Sequence, residues 1–170
     1  MQEADKKFQE NQKINVSKTF SVPLALGEIQ DNSIFITHTP DKESEAKIIN
    51  QALKFHSQGH ILKAANYYQY IIDQGIIDHR VYSNYGVILK DLGKLNEAEL
   101  CFRKAIEINP NLSVAHSNLG IILNNLGKLN EAKLSISKSI ELETDSPEGY
   151  SSLSCILRDL GNLQEAELYC

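Results

Sequence analysis

Apolar residues in the second half of the chain fall at helical spacing, and that spacing is interrupted at regular intervals. Leu119, Ile122, Leu123 and Leu126 sit at i, i+3, i+4 and i+7, which is one face of a helix at about 3.6 residues per turn. The pattern predicts a helix over Val114–Leu126. Gly127 closes it, because a glycine just past a helix end can turn left-handed without a Cβ clash. A second helix is predicted over Leu129–Leu142, with Leu129, Ala132, Ile136 and Ile140 facing inward. Ala132 is small where the two helices cross, so they can approach closely. Pro110 ends the equivalent second helix upstream, since proline lacks an N–H and clashes with the preceding turn.

The same sentence of residues is repeated. Gly86, Gly120 and Ser154 recur at a fixed step, as do Gly59, Gly93, Gly127 and Gly161, and likewise Ala64, Ala98, Ala132 and Ala166. Segments 79–112 and 113–146 are identical at 16 of 34 positions. Self-similarity at this period signals a stack of supersecondary units, with function on a repeated surface rather than in a cleft. Four units share one register: 45–78, 79–112, 113–146 and an incomplete 147–170. Each is an antiparallel helix pair that cannot bury its apolar face alone, so neighbours must stack.

Residues 1–44 read differently. Met1–Lys13 is polar and charged with no apolar stripe, and two short apolar runs follow, Phe20–Leu26 and Ser33–Thr37. The second run is β-branched, but an isolated strand has nothing to pair with. The polarity of the segment favours a mostly disordered leader. Thr39-Pro40 then reads as an N-cap followed by a first-turn proline, which opens a helix.

The repeated wording resembles tetratricopeptide repeats over residues 45–170. In the second unit Tyr82, Gly86, Leu89, Gly93, Ala98, Phe102, Ala105 and Pro110 all match the family pattern. The third keeps Leu119, Gly120, Leu123, Gly127 and Ala132, with Ile136, Ser139 and Thr144 at later positions. The first is the most divergent, with Gln51-Ala52 in place of Leu-Gly, though Ala64 and Tyr68 hold. The resemblance implies an all-α, right-handed helix-turn-helix solenoid of three full repeats plus a truncated fourth. It also implies a non-catalytic protein-protein interaction module that binds an extended peptide or a helix on its concave face. The wording is further similar to repeats that precede O-linked N-acetylglucosamine transferase-type domains and bacterial sulfotransferase or glycosyltransferase domains. A rival reading is therefore the substrate-recognition segment of a truncated or larger enzyme of that kind, whose catalytic sequence is not in this chain. A self-associating scaffold is a third. The fold itself does not choose, because it hosts many roles.

In such arrays the first helix of each pair lines the concave side, so matching outward positions form ladders. One is Ser83, Ser117 and Ser151, and another is Asn50, Asn84 and Asn118, broken by Ser152. A third is Val87, Ile121 and Cys155; along the rim run Lys90, Asn124 and Arg158, beside Asp91, Asn125 and Asp159. An amide carries donors and an acceptor together, so a row of asparagines can pair with the backbone of an extended peptide. The competing reading is that these amides bond their neighbours in the stack. The expected binding set is Asn84, Asn118, Asn50, Ser83, Ser117, Lys90, Asn124 and Arg158. The family's chaperone-binding members grip a carboxylate with cations one turn apart on first helices. This chain has Ser83 with Val87 and Val114 with Asn118 at those places, which supplies no charge-assisted grip.

Composition narrows the partners. A net charge of −5 and a pI near 5.5 disfavour nucleic acid, which calls for a basic patch. No run of apolar residues is long enough to span a membrane. Phe20–Leu26 is short, carries Pro23 and lacks a small-residue cleavage site, so it does not read as a signal peptide. Cys101, Cys155 and Cys170 are scattered, which suits small apolar residues in a reducing cytoplasm.

No metal, cofactor or catalytic residue is expected. His56 and His60 are spaced i, i+4, but Gly59 between them should end the helix. His79 and His116 stand where repeats join. Neither Cys101 nor Cys155 has a base beside it in sequence, as a nucleophile would need. Tyr67, Tyr68 and Tyr70 are expected to pack, and Glu97, Glu99 and Glu131 to sit on solvated helix starts favoured by the helix dipole. At the end of the chain, Leu163–Cys170 gives the last second helix eight residues, which is short for a stable helix. Leu153, Ile156, Leu157 and Leu160 should then be only partly covered, and either the natural protein continues or this end self-associates.

Overall fold

A computed structural model describes residues 42–169, and all regular structure among them is helical. The helices are α1 (Lys42–Ser57), α2 (Ile61–Asp73), α3 (His79–Asp91), α4 (Leu95–Ile108), α5 (Ser113–Asn125), α6 (Leu129–Leu142), α7 (Pro147–Asp159) and α8 (Leu163–Glu167). They pair as α1–α2, α3–α4, α5–α6 and α7–α8, and each pair packs on the next, giving the helix-turn-helix solenoid. The expectations for the leader, for Phe20–Leu26, Ser33–Thr37 and the Thr39-Pro40 cap, lie outside the described residues. α1 already contains Lys42, Glu43 and Ser44.

The turns inside each pair follow from glycine. Gly127 has φ of 73°, a left-handed backbone that costs a residue with a Cβ more than it costs glycine. Its N–H donates to the Asn124 carbonyl at 2.9 Å, and the Lys128 N–H donates to the Leu123 carbonyl at 2.8 Å. These two bonds satisfy carbonyls that a helix end leaves without partners. Gly59, Gly93 and Gly161 repeat the arrangement. Gly75 does the same between the first two units, at a place outside the repeating set. The N-termini of α3 and α7 are capped by side chains: Asp78 accepts from the Arg80 N–H at 2.8 Å, and Ser146 accepts from the Gly149 N–H at 3.2 Å.

The core runs through the stack. Ala64, Ala98, Ala132 and Ala166 are all buried where the helices of a pair cross. Gly86 and Gly120 allow that approach: an added Cβ would stand 2.9 Å from the Phe102 ring or 2.5 Å from Ile136 Cγ1. Tyr68 is fully buried, so the tyrosine run packs through its central member.

The chain end departs from expectation. α8 spans only Leu163–Glu167, yet Leu153, Ile156 and Leu157 are buried rather than partly covered. They join the same core as α5 and α6, with Ala166 buried and Leu160 and Tyr169 packed on it. Ser154 replaces the repeated glycine and donates its hydroxyl to the Ala166 carbonyl at 3.0 Å, tying α8 down. Cover comes from the preceding repeat and from one turn of helix, which suffices for that face.

Glu99 also differs from expectation. It is 7% exposed, not solvated. Its carboxylate accepts from Lys128 Nζ at 2.9 and 3.1 Å and from Arg103 Nε at 3.0 Å. Arg103 reaches on to Glu131, so the cluster joins the second and third units. Lys128 above all, with Arg103, holds the Glu99 carboxyl below its ordinary range against the opposing effect of burial.

Candidate functional site

The first helices α3, α5 and α7 touch one another in succession, so their outward side chains form a continuous face across repeats. The ladder positions lie on it with unequal exposure. Asn84 and Asn118 are half-buried, while Asn50 lies on α1, outside that run of three helices, and is exposed. Ser117 is half-buried, whereas Ser83 is buried, contrary to its expected place among the outward contacts. Ser83 lies one position before Asn84 on α3, a rotation of about 100°, which turns it toward the seam between helices. Val87 is half-buried, while Ile121 and Cys155 are exposed.

The amides are partly committed. Asn84 Nδ2 donates to the Arg80 carbonyl at 2.8 Å, and Asn118 Nδ2 donates to the Val114 carbonyl at 2.9 Å. Ser152 repeats the pattern, with its hydroxyl on the Glu148 carbonyl at 2.8 Å. Each donor turns back onto the carbonyl one helical turn earlier, which holds the side chain against its own helix. Asn118 makes a second bond: its Oδ1 accepts from Lys90 Nζ at 2.8 Å, linking α5 to α3. Sequence reasoning placed Lys90 on the rim and Asn118 in the ladder without joining them. The equivalent partner for Asn84 would be His56, but the His56 Nδ1 lies 3.2 Å from the Tyr68 hydroxyl instead. Asn84 therefore lines an open groove of about 370 Å³ with Leu53, His56 and Ser57. An amide carries two N–H donors and an oxygen with two lone pairs, so both asparagines retain capacity.

The rim positions differ among themselves. Asn124 is half-buried, and its Oδ1 is sealed from solvent with no hydrogen-bond partner among the described residues. Arg158 is exposed and its Nη2 donates to Cys155 Sγ at 3.0 Å. Arg158 and Cys155 line a groove of about 660 Å³ at the last repeat, together with Tyr150, Leu168 and Tyr169. The Tyr150 and Tyr169 rings stack there at 5.9 Å with 12° between planes.

Chemistry elsewhere is accounted for by packing. Burial, with Glu97 nearby, pushes the Cys101 thiol up to about 11, away from the thiolate that a nucleophile needs. Burial pushes Tyr68 up to about 12. His56 lies in α1 and His60 just before α2, with its ring edge-on to Phe55. His116 Nε2 lies 2.9 Å from the Pro110 carbonyl, at the joint between units. No cluster of three or more His, Cys, Asp or Glu side chains forms among the described residues. No helix among them is long and apolar enough to cross a membrane.

Comparison with known proteins agrees with this architecture. Residues 79–112 and 101–133 each match a family model described as tetratricopeptide repeat. The chain carries tetratricopeptide repeats. No curated protein matches its sequence. Among solved structures it is similar to the first TPR of Spaghetti (RPAP3) bound to the HSP90 peptide SRMEEVD. That match is 25% identical at a TM-score of 0.65, covering 71% of this chain and 96% of that one. A crystal structure of MamA matches at 17% identity and a TM-score of 0.69, covering 76% of this chain and 75% of its own. PilF of Pseudomonas aeruginosa matches at 23% identity and a TM-score of 0.64, covering 76% of this chain and 59% of that one. The last two are likenesses of fold alone.

Proposed function

We propose that the array is a non-catalytic interaction module that takes an extended peptide along the concave face of its first helices. Asn84 and Asn118 act as backbone-reading groups, with Asn50, Ser117, Lys90, Asn124 and Arg158 around them. The supporting observation is the posture of the two asparagines. Each is held by one N–H donated to the carbonyl one turn earlier in its own helix, and each keeps a second N–H and lone-pair capacity at a half-buried position. A preorganised amide loses little freedom when it binds, which favours affinity. The relative that holds an HSP90 peptide supports the module reading at the level of fold. Ser83 leaves the proposed set because it is buried.

The test uses the full chain as bait for a displayed library of unstructured peptides. Selected peptides are then titrated against the wild type and the Asn84→Ala/Asn118→Ala variant. The variant should lose about 1–3 kcal/mol of affinity, the cost of hydrogen bonds left unmade. Its melting temperature should barely move, because the bonds lost within the array are partly exposed. Unchanged affinity together with a large fall in stability would make these residues structural and end the proposal.

A further inference from the structure

His56 stands one repeat before Lys90, as Asn84 stands one repeat before Asn118. Lys90 crosses to Asn118 and occupies its oxygen. His56 does not cross, and it lines one groove with Asn84, Leu53 and Ser57 instead. The difference originates at Tyr68. That residue is fully buried, and among the described residues its hydroxyl has one hydrogen-bond partner, His56 Nδ1 at 3.2 Å. The two rings meet edge-on, with 5.8 Å between centroids and 74° between planes.

This contact fixes where the imidazole carries its proton. A phenol O–H buried without an acceptor costs free energy, so Tyr68 donates and His56 Nδ1 accepts. A neutral imidazole that accepts at one nitrogen bears its hydrogen on the other. Nε2 is therefore an N–H donor. It has no partner among the described residues, and it is not one of the sealed polar atoms, which are His79 Nδ1 and Asn124 Oδ1.

The rest of the groove sets the class of ligand. With His56 neutral, none of its four lining residues carries a formal charge. Ser57 Oγ donates its hydrogen to the Lys54 carbonyl at 2.9 Å and keeps only lone pairs for a ligand. Asn84 adds one uncommitted N–H and its Oδ1. Donors and acceptors side by side without charge suit a peptide unit, which offers one N–H and one C=O. A carboxylate would call for a cation, and the groove supplies none.

We infer that His56 is a peptide-binding residue whose Nε2–H donates to a backbone carbonyl of the bound peptide beside Asn84, with Tyr68 as the positioning residue that fixes the tautomer. The inference rests on the peptide reading of the concave face. It adds a residue to that site and makes its ligand a neutral internal stretch of peptide rather than a charged terminus.

The full chain, with its histidine rings labelled with nitrogen-15, is studied by proton–nitrogen correlation at mildly alkaline pH, where a free imidazole is neutral. His56 should carry its proton on Nε2, and Tyr68→Phe should let the Nδ1–H form appear. A wild-type ring protonated on Nδ1 overturns the proposal, and this measurement needs no peptide. Peptides selected on the full chain are then titrated against His56→Asn and His56→Gln. The asparagine amide can still accept from Tyr68 but does not reach the Nε2 position, so His56→Asn should weaken binding about tenfold with little change in melting temperature. His56→Gln, whose amide N–H reaches near Nε2, should recover most of that loss. Wild-type affinity in His56→Asn, with weak binding by Asn84→Ala/Asn118→Ala, overturns the role of His56 and leaves the peptide reading standing. Wild-type affinity in both overturns the peptide reading and the role of His56 with it.

Discussion

Gly120→Ala isolates the contact that lets a helix pair close. Gly120 on α5 faces α6, and an added Cβ would lie 2.5 Å from Ile136 Cγ1, 2.6 Å from its Cδ1 and 3.2 Å from the Ala132 carbonyl oxygen. Carbon atoms are comfortable at about 3.5–4.0 Å, so the shortfall against Ile136 is roughly an ångström. Ile136 is fully buried and β-branched, with one strongly preferred rotamer in a helix. It cannot swing aside, and the Ala132 carbonyl is backbone. Overpacking of this kind costs about 1–3 kcal/mol. Alanine recovers about 1 kcal/mol in helix propensity over glycine. The net expectation is a loss of about 0–2 kcal/mol, measured by urea unfolding followed by far-ultraviolet circular dichroism. A double-mutant cycle separates the two effects. Ile136→Ala alone should cost about 2–5 kcal/mol, and in that background Gly120→Ala should become neutral or stabilising. If Gly120→Ala stabilises the otherwise unchanged chain by the full propensity gain, or costs the same with and without Ile136, the close crossing is not where the structure puts it.

Two further outcomes follow from buried ionisable groups. Glu99 titrates below its ordinary range when folded, so its contribution is fully present above the unfolded carboxyl pKa of about 4.3 and is lost as pH falls through the lower folded value. The stability gap between wild type and Glu99→Gln, about 1–3 kcal/mol near neutrality, should therefore close under acid unfolding. A gap that stays constant down to pH values below the folded titration would dissociate Glu99 from the Lys128 and Arg103 contacts. Cys101, buried with its thiol pushed up to about 11, should resist alkylation at mildly alkaline pH, while exposed Cys155 reacts. Mass spectrometry of a Cys170→Ser chain reads this directly, and equal labelling of both thiols would contradict the burial of α4.

What was legible in the sequence is what neighbouring residues decide among themselves. Gly127 and its counterparts set the turns because the two bonds that end each helix span no more than six residues. The inward set Leu129, Ala132, Ile136 and Ile140 could be read because helical period alone selects a face. The misread features involve partners about a repeat away. Glu99 looks like a solvated acid at a helix start until Lys128, 29 positions on, is brought beside it by stacking. Leu153, Ile156 and Leu157 look half-covered when only α8 is considered, because the rest of their cover is supplied by the core of the preceding repeat. The asparagine ladder sits between these cases. Its place on the first helices follows from the register, but the Lys90–Asn118 bond depends on how far α3 stands from α5. That bond also makes the ladder unequal: Asn118 is tied across the seam, and Asn84, whose would-be partner His56 turns to Tyr68, is not. If a peptide backbone is read on this face, Asn84 should therefore contribute more than Asn118. A peptide oxygen or N–H meets a freer amide there, whereas at Asn118 it must compete with the Lys90 ammonium.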